Sequence, residues 1–170
     1  MENIQEEIHS GQYLTFTLRE EQYAIEIHKV REVLDVTTLT KIPRMPEYLS
    51  GVINLRGSVV PIIDLGFRLG MEKIRQTQHT CVMIMQLNVG ENTIEIGVLT
   101  DAVQMVLDLK AEEIEPVPQM SANIDTTFIK GMGRQDNDKF LIVIDLDTIL
   151  TGAEIEEIGH VGVELETATA

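Results

Sequence analysis

Val30-Arg31-Glu32-Val33-Leu34-Asp35-Val36 and Val103-Gln104-Met105-Val106-Leu107-Asp108-Leu109 are two copies of one pattern. Apolar residues fall at the same spacing in both, and an Asp fills the same slot. The likeness extends outward on both sides. Ile25-Glu26-Ile27 precedes the first copy and Ile94-Glu95-Ile96 the second. Downstream, Ile62-Ile63-Asp64-Leu65 is matched by Val143-Ile144-Asp145-Leu146. The offset between echoes grows from 69 residues (Ile27 to Ile96) to 81 (Asp64 to Asp145), as insertions into the loops of a duplicated unit would produce. Two copies are too few for a solenoid, so the pattern predicts a pair of similar β-rich subdomains in one body. No reactive residue set is duplicated with the fold, which points to a binding scaffold.

Each half reads as about five short strands closed by one short helix. Alternation from Tyr13 to Leu18, the polar turn Arg19-Glu20-Glu21-Gln22 and the return from Tyr23 to Ile27 predict a hairpin. Val30, Val33 and Leu34 sit at helical spacing and predict a short turn before a strand near Val36 to Thr40. Pro43 and Pro46 mark an irregular connector, mirrored by Pro116 and Pro118. Gly51 to Leu55 and Val59 to Ile63 flank the turn Arg56-Gly57-Ser58. Asp64 is placed to cap a helix over Leu65 to Leu69 that Gly70 ends, and Asp145 does the same for Leu146 to Leu150. The second half offers strands over Thr80 to Leu87, Thr93 to Leu99, Val103 to Leu109, Phe128 to Met132 and Lys139 to Ile144. Five short antiparallel strands close naturally into a small barrel, which also removes exposed edges. The expected fold is mostly β: two SH3-like five-stranded β-barrel subdomains, about 13–70 and 79–150, packed together with short helices. A flexible segment 1–12 precedes them and an acidic tail 151–170 follows.

Composition agrees with this reading. Apolar residues make up 44% of the 170, dominated by Val, Ile and Leu, while aromatics are 4% and Trp is absent. Such a β-branched aliphatic core favours strands. A net charge of −15, with 13 dispersed Lys and Arg, argues against nucleic acid and against anionic membrane surfaces. Acid at the ends (Glu2, Glu6 and Glu7; Glu154, Glu156, Glu157, Glu164 and Glu166) reads as a solvated coat, with a specific acidic docking tail as the alternative. Cys81 is alone, so neither an internal disulfide nor a cysteine metal set can form, and a reducing compartment is expected. The start is unlike a signal peptide and no apolar run is long enough to span a bilayer. A soluble cytoplasmic protein is the expectation.

The search for chemistry returns nothing that needs a cofactor or metal. His9, His28, His79 and His160 form no zinc-type spacing; His28 lies two residues from Glu26, which reads as a surface pairing. Gly131-Met132-Gly133 lacks the third glycine of a dinucleotide fingerprint and precedes a strand. Ser58 and Ser121 have no nearby His to serve as base. Asp64 and Asp145 could in principle accept a phosphoryl group or bind a metal, but a helix cap explains both copies at once. Asn54-Leu55-Arg56-Gly57 stands out as a turn whose Arg is either paired locally with a carboxylate or offered to an acidic partner. The apolar connector from Pro43 to Leu49 also permits a small-ligand site between the barrels.

Residues 49–65, LSGVINLRGSVVPIIDL, closely resemble the signature of the CheW family, the adaptors of bacterial chemotaxis arrays. YLTFTLREEQYAIEIHKVREV (13–33) and FIKGMGRQDNDKFLIVIDLDTIL (128–150) are similar to that family's first hairpin and last strand pair. The resemblance implies a non-enzymatic adaptor, free of cofactors, that couples the histidine kinase CheA, through its regulatory domain, to the cytoplasmic tips of methyl-accepting receptors. It further implies recruitment to receptor arrays at the membrane, without insertion. Carried over position by position, it implies a receptor-binding set of Val30, Glu32, Gly51, Arg56 and Val82 in the groove between the subdomains, with Val30 and Val82 equally readable as core residues, and a kinase-binding set of Gly57, Gly97 and Gly131. A pilus-type or other chemosensory pathway fits the same residues.

Overall fold

Short backbone links decide how the strands of this chain are shared out. The computed structural model describes residues 10–36, 38–89, 91–117, 128–135 and 139–150, together with 154, 157 and 158. Strands β1 (Gly11–Leu18) and β2 (Glu21–Glu26) form the expected hairpin, with Arg19 and Glu20 of its turn both at positive φ. A single 3-10 turn, Ile27–Lys29, leads from β2 into β3 (Val30–Asp35). The helical spacing of Val30, Val33 and Leu34 is therefore misleading: the burial of β3 alternates residue by residue, and the helical turn lies just before it. Among the described residues of the strand expected near Val36 to Thr40, one bridge is present, Thr40 to Val52.

Strands β4 (Leu49–Leu55) and β5 (Ser58–Asp64) pair antiparallel, and α1 (Leu65–Arg68) follows. As the sequence predicts, Asp64 caps α1 by accepting a hydrogen bond from the Phe67 amide at 3.1 Å, and Gly70 lies at positive φ just beyond it. Residues 71–77 have no regular structure and lead into β6 (Cys81–Val89) and β7 (Asn92–Thr100), then β8 (Ala102–Leu109) and the short β9 (Ile114–Glu115). Strands β10 (Ile129–Arg134) and β11 (Phe140–Ile144) close the order. Asp145 accepts from the Asp147 amide and caps a 3-10 turn over Leu146–Thr148. Pro118, Ser121, His9 and His160 lie outside the described residues.

These strands form two sheets, one ordered β8-β1-β2-β11-β10-β9 and the other β3-β6-β7-β5-β4. Two packed β subdomains are thus present, but they do not follow the sequence halves 13–70 and 79–150. The hairpin β1–β2 sits among second-half strands, and the hairpin β6–β7 among first-half strands. Parallel pairs splice each hairpin in, β11 beside β2 and β5 beside β7. The physical reason is the brevity of the links after β2 and β7. Three residues carry the chain from one sheet to the other after Glu26, and Asp101 alone does so after Thr100. The sheets accordingly count six and five strands.

The largest core cluster lies where the subdomains meet. Phe16, Leu18 and Ile25 of one sheet join Met83, Met85 and Ile96 of the other, all at most 2% exposed. Burying each such side chain contributes about 1.5–3 kcal/mol. Ile158 belongs to the same cluster, and Arg68 pairs with Glu154 at 2.9 Å. Part of the segment expected to be an acidic tail, Glu154 included, is therefore packed against the fold.

Candidate functional site

Arg56 is held at the tip of the β4–β5 hairpin by a two-residue turn. Leu55 pairs with Ser58, so Arg56 and Gly57 alone form the loop, with φ of 52° and 89°. That pair of positive angles suits the right-handed twist of a hairpin, and Asn or Gly usually occupies both places. The Asn54 Oδ1 accepts from the Gly57 amide at 2.9 Å and fixes the turn from the side. An Arg at positive φ is conformationally costly, so the position keeps its side chain at the expense of local strain.

The guanidinium reaches across to β3. Arg56 Nη1 donates to Glu32 Oε1 at 2.7 Å and Nη2 donates to Oε2 at 2.9 Å, a two-pronged arrangement that fixes both planes. The local pairing that the sequence left open is thus made, and it joins the outer strand β3 to the tip beside the other outer strand, β4. Hydrogen bonds from Arg56 hold the Glu32 carboxyl below the usual carboxylate range, aided by the charges of Arg56 and Arg31. Those bonds also keep Arg56 more firmly protonated. The Arg56 side chain remains 73% exposed. It is a charged couple presented to solvent, with its geometry set in advance.

The other residues singled out from the sequence fall into different places. Val30 begins β3 and packs, half-buried, on the main core. Gly51 lies on β4 at φ 149°, where a Cβ would come 2.7 Å from the Thr40 carbonyl oxygen. Val82 is 1% exposed, within the cluster of Val60, Ile62, Ile84 and Leu99. Gly97 is buried against it: a Cβ there would stand 2.4 Å from Ile62 Cδ1 and 2.7 Å from Val82 Cγ1. Gly131, in the six-stranded sheet, is buried under β9, with Ile114 Cγ2 only 2.5 Å from a Cβ position. Gly57 faces open space. The structure therefore brings Glu32, Arg56 and Gly57 together at one surface and places Val82 with Gly97 in the interior behind it.

Two pairings had no sequence signal. Lys130 and Glu26 form a 2.7 Å ion pair with both side chains about nine-tenths buried, on the carboxylate that His28, as its spacing suggested, approaches to 3.2 Å. Arg19 donates to the Asp101 carboxylate and to the Glu72 carbonyl, tying the first hairpin to the β7–β8 link and to the inter-half linker. Neither partner of either pair is near the other in sequence. Among the described residues no group of three or more His, Cys, Asp or Glu could hold a metal ion, and no helix is long and apolar enough to cross a membrane.

Comparison with known proteins accounts for this arrangement. The family model for the CheW-like domain matches residues 12–154. This chain belongs to the CheW-like family. It is 34% identical to the chemotaxis protein CheW of Klebsiella aerogenes over 150 residues, covering 88% of this chain and 87% of that one. It is 32% identical to CheW of Helicobacter pylori, with 82% and 81% covered. Among solved structures, the scaffolding protein TtCheW of Thermoanaerobacter tengcongensis superposes with a TM-score of 0.73 at 35% identity, over 85% of this chain and 97% of that one. The match spans both sheets, so the exchange of hairpins belongs to a fold found in a CheW scaffold and is not peculiar to this chain.

Proposed function

We propose that this chain is a chemotaxis adaptor without chemistry of its own, joining the regulatory domain of the histidine kinase CheA to the cytoplasmic tip of a methyl-accepting receptor. It works in the cytoplasm, brought to the membrane only by its receptor. The observation that carries the reading is the exposed Glu32–Arg56 couple, strained into position within a family of chemotaxis proteins. A rigid paired charge sets the register of a docked helix better than a mobile one, because little side-chain entropy remains to be lost on binding. Receptor recognition is assigned to Glu32 and Arg56, with Val30 beside them on β3. Gly51 and Val82 contribute from beneath, by setting the path of β4 and the position of β6. For the kinase face, Gly57 offers an uncrowded turn, while Gly97 and Gly131 act through the close strand packing that their missing side chains allow.

The test is co-precipitation with a kinase regulatory domain, with a receptor cytoplasmic fragment, and with both. Arg56→Glu should lose receptor binding while its melting temperature stays within a few degrees of the parent. The exchanged pair Glu32→Arg with Arg56→Glu separates pairing from recognition. If either variant binds receptor as the parent does, the couple is not the recognition element. If neither bait binds the parent chain, the adaptor reading itself fails.

A further inference from the structure

The connector between β3 and β4 and the linker between the halves enclose a cavity of about 550 Å³, within the range of small-ligand pockets. Half-buried Ile42 and Met45 give it apolar surface, above the buried Leu49 and Leu99. Leu39 and Ile74 form half-buried walls. The charged groups lining it are Lys41, Arg44, Lys73, Glu47 and Asp64. Their roles are unequal. Asp64 is 3% exposed and its two oxygens accept from the Phe67 and Ile74 amides, so its charge is already met by backbone donors. Lys73 lies 3.9 Å from Glu47 and over the Phe67 ring. Lys41 and Arg44 have no carboxylate partner among the described residues. Arg44 keeps that place at φ 65°, an uncommon backbone state for an arginine.

From this we infer that the cavity is a binding site for a small amphipathic anion, a carboxylate or phosphate head on a short apolar body. The body lies on the half-buried Leu39 and Ile74, and the head meets Lys41 and Arg44. This use of the fold does not rest on the adaptor reading and involves neither Glu32 nor Arg56, although Gly51 also lines the cavity. The chain's overall charge of −15 does not forbid it. Exposed charges farther away than a Debye length, about 8–10 Å at physiological salt, are largely screened, whereas the two cations at the rim act at contact. An anion chosen here is chosen by local geometry.

The experiment uses the full ¹⁵N-labelled chain with octyl phosphate and octanoate, beside octanol and octylammonium as head-group controls. Saturable amide shifts confined to the neighbourhood of Leu39, Leu49 and Ile74 are expected with the two anions. Octanol should bind about tenfold more weakly or worse, since hydrogen bonds to charged groups are lost, and octylammonium not at all. The double variant Lys41→Gln with Arg44→Gln should lower anion affinity by about tenfold or more. Both side chains are solvent-exposed, so its thermal melt should match the parent's. Equal binding of octanol, an unaffected double variant, or no saturable shift at about millimolar ligand would overturn the site. Phosphatidylglycerol vesicles separate free ligand from lipid surface: failure to co-sediment supports a soluble anion, and co-sedimentation abolished by the double variant overturns it. Neither kinase nor receptor is present, so the result stands apart from the adaptor test.

Discussion

Gly97→Ala is the sharpest probe of how this fold is held. A Cβ at Gly97 would stand 2.4 Å from Ile62 Cδ1 and 2.7 Å from Val82 Cγ1, with Ile84 Cδ1 at 3.5 Å. Carbon atoms pack at about 3.5–4.0 Å, so two neighbours on adjacent strands must each retreat by about 1 Å. Overpacking of this kind costs about 1–3 kcal/mol, offset by about 0.4–1 kcal/mol because the unfolded chain loses glycine's freedom. Taking the middle of each range, the net loss is about 1.3 kcal/mol, or about 3–5 °C in melting temperature for a chain of this length. Ile62→Val removes the nearest clashing atom. Alone it costs about 0.5–1.5 kcal/mol. Combined with Gly97→Ala it should cost clearly less than the sum, a coupling of about 1 kcal/mol in a double-mutant cycle. Denaturant melts of the four proteins measure this directly. A Gly97→Ala protein as stable as the parent, or a cycle with no coupling, refutes the packing argument. If such a stable variant also lost the kinase, Gly97 would be a contact residue and not a shaper of the sheet.

Ile158→Ala should destabilise by about 2–5 kcal/mol, as loss of a fully buried aliphatic does, while Glu157→Ala on the exposed side should stay within about 0.5 kcal/mol; thermal melts decide. Tyr48 is pushed up to about 12, first by burial and then by Glu154 and Glu157. Its neutral hydroxyl therefore contributes stability in full below the unfolded value of 10, and that contribution is lost as pH rises from there through about 12. Ultraviolet titration should show a late tyrosine step that Tyr48→Phe removes. The lowered Glu32 carboxyl works in the opposite sense: its contribution is present above the ordinary carboxylate value and disappears as pH falls through the depressed one. NMR titration of the Glu32 carboxyl should give a midpoint that rises in Arg56→Ala.

What the sequence made legible, and what it hid, divides along the range of the interactions. The hairpin from Tyr13, the caps at Asp64 and Asp145 and the irregular connector around Pro43 follow from residues within a few positions of one another, and the structure contains them all. Strand β3 was obscured because Val30, Val33 and Leu34 fit a helical period, while the alternation that decides it appears only once burial is known. The duplication was visible, but its exchange was not. Periodicity says that Ile25 and Ile96 face a core, not which half's strands lie beside them, and both parallel pairings join residues far apart in the chain. At the site, Arg56 was legible through the turn around it and Glu32 through the family resemblance. The interior positions of Val82 and Gly97 depend on how β5, β6 and β7 lie side by side, which no local reading supplies.

The exchange of hairpins bears on how an adaptor of this shape transmits force. Were each half a self-contained barrel, the two subdomains would meet at a surface and rotate against one another at modest cost. Here each sheet is completed by a hairpin from the other half, and the chain passes between sheets twice within three residues or fewer. Separating the two sequence halves would strip β1–β2 from β11 and β8, or β6–β7 from β3 and β5, and separating the two sheets would open the main core around Phe16 and Met83. Arg19, bound to Asp101 and to the Glu72 carbonyl, fastens one of those crossings to the linker. The Glu32–Arg56 couple in the five-stranded sheet is therefore joined to the six-stranded sheet by the three-residue link after Glu26 and by the packed side chains of the main core. Two sheets completed by each other's hairpins and sharing one core are built to move as a single body.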